Sequence, residues 1–183
     1  MKYSPFEQED ALKNMVILID TRENPNTQRY KQRVEQFPKW RRQKLDAGDY
    51  SCELNVGGEL IQLPVAIERK MDLDELCQCF TCGRKRFQRE FERAKEKGIK
   101  LYLLVENADW EKIYAGEYRS MMKAESLIGS MLAWSIRYGA QFFFCKPSTT
   151  ARMIRKILHY EAKEWLEHDE QSIAGDPPES QSG

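Results

Sequence analysis

Long hydrophobic stretches are missing from this sequence of 183 residues, in which hydrophobic residues make up 41% and charged residues 32%. No apolar run approaches the roughly 20 residues that a transmembrane helix requires. The first ten residues, MKYSPFEQED, lack the basic and apolar regions of a secretory signal peptide. We therefore expect one globular domain that is cytoplasmic and makes no membrane contact.

Side chains of the kind that bind zinc are scarce. The sequence has two histidines, His159 and His168, and five cysteines. The odd number of cysteines and the missing signal peptide favour reduced thiols over disulfides. Cys77, Cys79 and Cys82 are closely spaced, but a zinc site usually needs four ligands in paired sets. Small, partly buried thiols are the simpler interpretation, and the role of these three residues stays open.

The chain has no excess of either charge, since 29 lysines and arginines balance 29 aspartates and glutamates. Residues 167–183, however, carry five acidic and no basic residues, which leaves 29 basic and 24 acidic residues, a net charge of +5, in the rest. A modestly basic body is compatible with a polyanionic partner without requiring one. We predict an N-terminal extension at residues 1–14, one domain at 15–166, and an acidic, disordered tail at 167–183.

Apolar runs alternate with helical patterns along the predicted domain. Short runs such as MVILID and KLYLLVE are typical of buried strands. We predict strands at residues 15–20, 43–54 (interrupted by Gly48), 60–70, 100–106 and 141–145, with a hairpin turn at residues 57–58. We predict helices at residues 27–37 (capped by Asn26), 73–79, 84–97, 120–138 and about 148–166. The expected fold class is α/β, with a mixed central β-sheet of about five strands flanked by helices on both faces.

Charged side chains lie at the ends of the predicted strands. Asp20 ends the first strand, and Asp49 lies within the hairpin. Because residues i and i+2 of a strand share a face, Glu68 and Lys70 point the same way and Arg69 points away. The hairpin brings Asp49 near Glu68, and Asp20 joins them if its strand lies beside this pair. The sequence therefore predicts a group of carboxylates with one lysine.

Such carboxylates repel one another unless a cation neutralises them. An oxygen-rich site with room for water suits Mg²⁺, with Mn²⁺ as an alternative. An ion of this kind lowers the pKa of a water molecule and stabilises charge on a phosphoryl oxygen. Lys70 would orient that water or neutralise the transition state. Each charged residue alone is more often a solvated strand end, and only the combination indicates phosphodiester hydrolysis.

The motifs together resemble the XPF family of structure-specific endonucleases, which has a restriction-endonuclease-like fold. ILIDTREN carries an Asp-x-Arg-Glu element at residues 20–23, and GDY with IERK-x-x-x-D carries the Gly-Asp and Glu-Arg-Lys-x-x-x-Asp elements at residues 48–49 and 68–74. Gly83, Arg84 and Gln88 fit a further Gly-Arg-x-x-x-Gln element. The resemblance spans about residues 15–160.

The resemblance implies the roles of the site residues. Asp20, Asp49 and Glu68 look like metal ligands, and Lys70 looks like the catalytic lysine. The supporting members of the catalytic set are Arg22, Glu23, Arg69 and Asp74.

The family also implies cleavage of branched DNA, such as 3′ flaps and forks, in repair, recombination or replication. It implies a homodimer formed through the nuclease domain. Because the chain shows no tandem helix-hairpin-helix motifs, we expect a stand-alone nuclease, associated with the nucleoid if the source is bacterial or phage.

Two basic clusters are candidate contacts to DNA. Phosphates are bound by lysine and arginine, and a tryptophan can stack on an unpaired base. The candidates are Arg84, Arg86, Gln88 and Arg89 in one cluster and Trp40 and Arg41 in the other. A solvated helix or strand face is the plain alternative for both clusters.

Two other hypotheses use the same residues. A catalytically silent, DNA-binding scaffold is disfavoured because no motif acid or lysine is missing. A restriction-like or Holliday-junction nuclease would share the fold, but the Asp-x-Arg-Glu and Glu-Arg-Lys elements argue against it.

Overall fold

The computed structural model describes residues 3–168. Most of the predicted acidic tail therefore lies outside the described residues, although Glu167 and His168 belong to the last helix. No helix in the described part of the chain is both long and apolar enough to cross a membrane.

A sheet of seven strands runs through residues 3–168. The strands are β1 (Val16–Asp20), β2 (Trp40–Gln43), β3 (Tyr50–Val56), β4 (Glu59–Gln62), β5 (Val65–Lys70), β6 (Lys100–Glu106) and β7 (Gln141–Cys145). Their order is β2-β1-β3-β5-β6-β7, and β4 pairs with β3 outside this order. β3 is antiparallel to β1 and β5, whereas β2 is parallel to β1, and β5, β6 and β7 run parallel. The predicted mixed sheet is confirmed.

Helices cover both faces of this sheet, as predicted. They are α1 (Pro5–Asn14), α2 (Gln28–Val34), α3 (Leu73–Phe80), α4 (Arg84–Glu96), α5 (Trp110–Ala115), α6 (Ala124–Tyr138) and α7 (Thr150–His168). α1, α2 and α7 pack against strand residues such as Ile19 and Ile67 on one face. α3 to α6 pack against residues such as Leu103 on the other.

Two of the predicted strands differ from the structure. The strand predicted over residues 43–54, interrupted by Gly48, is wrong over residues 44–49, which form a loop between β2 and β3. The strand predicted over residues 60–70 is interrupted at Leu63 and Pro64, where proline offers no N–H to a strand ladder. The Pro64 carbonyl instead accepts a hydrogen bond of 2.9 Å from the Lys100 N–H. β2 was not predicted, and the break at Leu63 and Pro64 separates β4 from β5, so the sheet has more strands than expected.

Helix boundaries also differ from the predictions. Thr27 caps α2 by accepting a hydrogen bond from the Tyr30 N–H, in place of Asn26. Residues predicted as an extension form α1, which Ser4 caps and which buries Ala11 completely. α6 begins at Ala124 rather than at residue 120.

Candidate active site

The first two predicted acids are neighbours because β1 and β3 run antiparallel. β1 ends at Asp20, and Asp49 directly precedes β3. The Asp20 N–H donates to the Asp49 carbonyl over 2.8 Å, and the Asp49 N–H donates to the Ile67 carbonyl over 2.8 Å. β5 carries Glu68 next to Ile67. Asp20, Asp49 and Glu68 therefore lie at the same end of three adjacent strands, β1, β3 and β5.

Gly48 lets the backbone pass close to β5 just before Asp49. Its φ is +68°, and a β-carbon built on it would lie 2.9 Å from the Ile67 carbonyl oxygen and 3.0 Å from the Ala66 Cβ. A side chain at this position would be strained and would also clash with backbone atoms. The glycine of the Gly-Asp element thus allows Asp49 to lie against β5.

The Asp20 carboxylate is completely buried and fully occupied by hydrogen bonds. Arg22 donates to it from Nε over 2.6 Å and from its backbone N–H over 2.7 Å, and the Leu45 N–H donates over 2.7 Å. Burial alone would raise the pKa of Asp20, but these hydrogen bonds outweigh it and lower the pKa. Asp20 is therefore a charged carboxylate whose partner in this structure is Arg22.

Asp49 has the opposite electrostatic environment. Its Oδ2 accepts a hydrogen bond of 2.8 Å from the Arg69 N–H. Burial, together with the negative charges of Glu68 and Glu23, raises the pKa of Asp49 well above its ordinary value. A carboxyl group with raised pKa among other acids is a position where a cation relieves repulsion.

Glu68 and Lys70 lie side by side on β5, as the strand alternation predicts. The Lys70 Nζ lies 2.5 Å from the Glu68 Oε1 and 5.3 Å from the centre of the Phe87 ring. Burial raises the pKa of Glu68 despite this contact. Burial alone would lower the pKa of Lys70, but the attraction of Glu68 raises it. Lys70 is therefore a buried ammonium group held beside the acids.

The three predicted metal ligands do not close around one point in this structure. Among residues 3–168, the one group of three side chains whose ligand atoms all lie within 4.8 Å of one another is Glu164, Glu167 and His168, which is exposed at the end of α7. The Asp20 carboxylate forms an ion pair with Arg22, and the Glu68 carboxylate forms one with Lys70. The all-carboxylate donor set fits a hard divalent ion, but binding by all three requires side-chain rotations that release these contacts.

Glu23 is held by two side chains from other elements. Its Oε2 accepts hydrogen bonds from the Arg33 Nη2 over 3.0 Å and from the Tyr50 hydroxyl over 3.1 Å. The Arg33 Nε also donates to the Tyr50 hydroxyl over 2.6 Å. This buried network fixes the loop after β1 and contributes negative charge near Asp49.

Arg69 points away from Lys70, as predicted. Its Nη1 lies 3.6 Å from the Oε2 of Glu106, which ends β6 and is almost completely buried. Glu106 also accepts a hydrogen bond of 2.7 Å from the Thr150 hydroxyl at the start of α7. Arg69 thus joins β5 to β6 and α7 on the other face of the sheet.

Asp74 is engaged with the loop before α6. Its carboxylate accepts hydrogen bonds from the Arg119 Nε, the Arg119 N–H and the Ser120 N–H over 2.7–2.9 Å. In this structure, therefore, Asp74 fixes the loop that leads into α6.

The first predicted DNA-binding cluster lies on α4. Arg86 lines a cleft of about 380 Å³ together with Glu68 and Lys70. Arg89 and Gln88 line a separate groove on the same helix, where the Gln88 side chain donates to Glu92 over 2.8 Å. Arg84 is exposed at the first residue of α4.

The second cluster lies on the edge strand β2. Trp40 is 41% exposed, and Arg41 forms a 2.6 Å ion pair with Glu53. Trp40 pairs with Ile17, whereas Asp20 pairs with Gln43. Trp40 therefore lies three residues, or roughly 10 Å, along the strand from the level of Asp20.

Several residues at the site were missed by sequence reasoning. Glu106 carried a signal, since it ends a buried strand as Asp20 does. Arg33 and Tyr50 carried none, because their contact with Glu23 depends on how α2 packs. Glu90 was also missed: its Oε1 accepts a weak 3.4 Å hydrogen bond from the Gly48 N–H.

The cysteines lie at different depths around α3. Cys77 is buried, Cys82 is exposed, and Cys79 lines the cleft beside Lys70. Burial raises the pKa of Cys79 to about 11, so its thiol stays protonated at neutral pH. The predicted partly buried thiol therefore describes Cys79, whereas it is wrong for the buried Cys77 and the exposed Cys82.

A mixed sheet flanked by helices, with acids and one lysine at the same end of adjacent strands, places this chain in the α/β class. The sequence profile of the ERCC4 domain matches residues 19–157. The chain therefore belongs to the ERCC4 domain family, a family of DNA nucleases.

Solved structures agree with this family. XPF from Aeropyrum pernix matches with a TM-score of 0.56 at 19% identity, over 85% of this chain and 69% of that chain. XPF from Aeropyrum pernix in complex with DNA matches with a TM-score of 0.58 at 20% identity, over 88% and 76% of the two chains. The predicted XPF-like fold is thereby confirmed. No curated protein sequence matches this chain.

Proposed function

We propose that this protein is a Mg²⁺-dependent endonuclease, with Mn²⁺ as a possible substitute, that cleaves branched DNA. The observation that supports the proposal most directly is the placement of Asp49 and Glu68 on adjacent strands, with raised pKa values, beside the buried ammonium group of Lys70. Two carboxylates that repel each other are stabilised by a divalent cation. One structural match, XPF from Aeropyrum pernix, was solved in complex with DNA, so DNA is the first polyanion to test.

The proposed roles follow from the contacts of each side chain. Asp49 and Glu68 would hold the ion, and Asp20 would join them once Arg22 releases it. Bound there, a divalent ion lowers the pKa of a water molecule and neutralises charge on the phosphate. Lys70 would turn from Glu68 towards the attacking water or the phosphate and stabilise the developing negative charge.

The test is cleavage of labelled 3′-flap, fork, four-way junction and plain duplex DNA with and without Mg²⁺. We expect cleavage of flap or fork DNA that requires the ion. Glu68→Gln and Lys70→Ala should abolish cleavage while leaving folding and DNA binding nearly intact. Full activity in Glu68→Gln would refute the assignment of the site.

A catalytically silent scaffold is the alternative, and one observation favours it. Asp20 is occupied by Arg22, and the three acids do not share one point in this structure. DNA binding without any cut product, with either Mg²⁺ or Mn²⁺, would support this alternative. Cut product from wild-type protein that disappears in Lys70→Ala would exclude it.

We also propose a homodimer. Leu132 and Ile136 lie one helical turn apart on α6 and are 53% and 87% exposed, so they form an apolar stripe that a second copy would cover. Light scattering after size-exclusion chromatography should give twice the monomer mass, and Ile136→Glu should shift the protein towards monomer. A wild-type monomer at all tested concentrations would exclude the dimer.

A further inference from the structure

Glu90 on α4 contacts the loop that carries Gly48 and Asp49. α4 buries Phe87, Phe91 and Ala94, and Glu90 is half-buried beside this apolar face of the helix. Its Oε1 accepts the 3.4 Å hydrogen bond from the Gly48 N–H, one residue before Asp49. Glu90 is thus the point where this helix meets the Gly-Asp element.

The same side chain faces the other charged groups of the site. Glu90 lines the cleft of about 380 Å³ that Glu68 and Lys70 also line. Burial is the main cause of the raised pKa of Glu68, and the negative charge of Glu90 adds to it. The hydrogen bond to Asp20 is the main cause of the raised pKa of Arg22, and Glu90 adds to that shift as well. Among residues 3–168, no lysine, arginine or histidine nitrogen lies close enough to the Glu90 carboxylate to form an ion pair.

Within the part of the chain that the structure describes, the Glu90 carboxylate has one weak hydrogen bond, from the backbone N–H of Gly48, and it lines the cleft of Glu68. Mg²⁺ and Mn²⁺ bind carboxylate oxygens directly or through their water molecules, so a carboxylate at the rim of the site can act without moving the helix. The helix that carries Glu90 also carries Arg86 on the wall of the same cleft.

We propose that Glu90 is a further carboxylate of the metal site, binding the ion directly or through a bound water, and that it couples α4 to the ion. This inference rests on the proposed metal-dependent function. Its consequence is that occupancy of the metal site also fixes the helix that carries the candidate DNA contacts.

The test is Mn²⁺ binding to the full chain, without DNA, by isothermal titration calorimetry. Glu90→Gln should weaken Mn²⁺ binding by about 10–100-fold, the range for losing a supporting ligand. Glu96→Gln, an exposed acid at the end of the same helix, is the matched control and should change the affinity less than about twofold. Glu90→Ala should behave like Glu90→Gln.

A second readout separates loss of binding from loss of folding. Without metal, Glu90→Gln should melt close to the wild-type temperature, because an amide oxygen can still accept the hydrogen bond from the Gly48 N–H. With Mn²⁺, its gain in melting temperature should be smaller than that of the wild type. Unchanged Mn²⁺ affinity in Glu90→Gln and Glu90→Ala overturns the role of Glu90 alone. A wild-type protein that binds no Mn²⁺ overturns the proposed metal site as well.

Discussion

The backbone N–H of Arg69 donates a hydrogen bond of 2.8 Å to the Oδ2 of Asp49. This contact joins the start of β3 to the end of β5 and holds the Asp49 carboxyl beside Glu68. It fixes the position of an acid whose charged form is opposed by burial and by its neighbours. The metal-free fold therefore favours the neutral form of Asp49, whereas ion binding requires its charged form.

Asp49→Asn should distinguish the effect of this charge on stability from its effect on ion binding. The amide oxygen can still accept from the Arg69 N–H, while the charge that repels Glu68 is removed. We expect the metal-free variant to be more stable than wild type by about 1 kcal/mol, measured by urea unfolding. Cleavage and the stabilisation by Mg²⁺ should both be lost. A variant that is less stable than wild type without metal would contradict the repulsion inferred at this position.

Gly48→Ala should destabilise the protein by more than backbone strain alone. Gly98 is the matched control, because its φ of +65° is close to the +68° of Gly48, while a β-carbon at Gly98 would meet nothing within 4 Å. We expect Gly98→Ala to cost about 1 kcal/mol of unfolding free energy and Gly48→Ala at least about 2 kcal/mol, because of the clash with Ile67. Equal losses in the two variants would show that the close approach to β5 is unimportant.

The position of the acids could be predicted from sequence because it follows from local patterns. Apolar runs that end in Asp20 and Glu68 identify buried strands with an acid at one end, and alternation along β5 separates Arg69 from Lys70. The alternation of side chains between the two faces of a strand depends only on the positions of the residues along that strand.

The contacts that complete the site could not be predicted in the same way. Gly48 and Glu90 are 42 residues apart, and their contact depends on the rotation of α4 against the sheet. The partner of Asp74 is 45 residues away, in a loop with no distinctive pattern. The loop at residues 44–49 was predicted as strand because it includes apolar side chains, such as Leu45 and Ala47, that are buried like strand residues.

The stabilisation by Mn²⁺ should depend on pH through Asp49 and Glu68. Burial and nearby acids raise the pKa of Asp49, and burial raises that of Glu68. In the metal-free protein, their protonation contributes stability that is fully present below the unfolded-state pKa and is lost as pH rises through the folded-state pKa. Ion binding needs the deprotonated forms.

The gain in melting temperature with Mn²⁺ should therefore be largest near about pH 8 and shrink towards about pH 5, above the range where ordinary carboxyl groups titrate. Thermal unfolding with and without Mn²⁺ across this range measures the effect. Asp49→Asn is the control, and its response to Mn²⁺ should be small at every pH. A wild-type gain that is constant over the range would rule out linked proton release.

Arg86 and Arg89 should contribute to DNA affinity through phosphate contacts. Arg86 lines the cleft of Glu68 and Lys70, and Arg89 is exposed three residues further along α4. Each phosphate contact adds about 0.9 to the slope of log affinity against log salt concentration. In a Glu68→Gln background, which prevents cutting, Arg86→Ala with Arg89→Ala should lower flap-DNA affinity and reduce this slope by about 1–2. Lys163→Ala on α7 is the control for a lost surface charge, and fluorescence anisotropy at several salt concentrations measures both. If the double variant keeps the wild-type slope, the path of the DNA does not cross this part of α4.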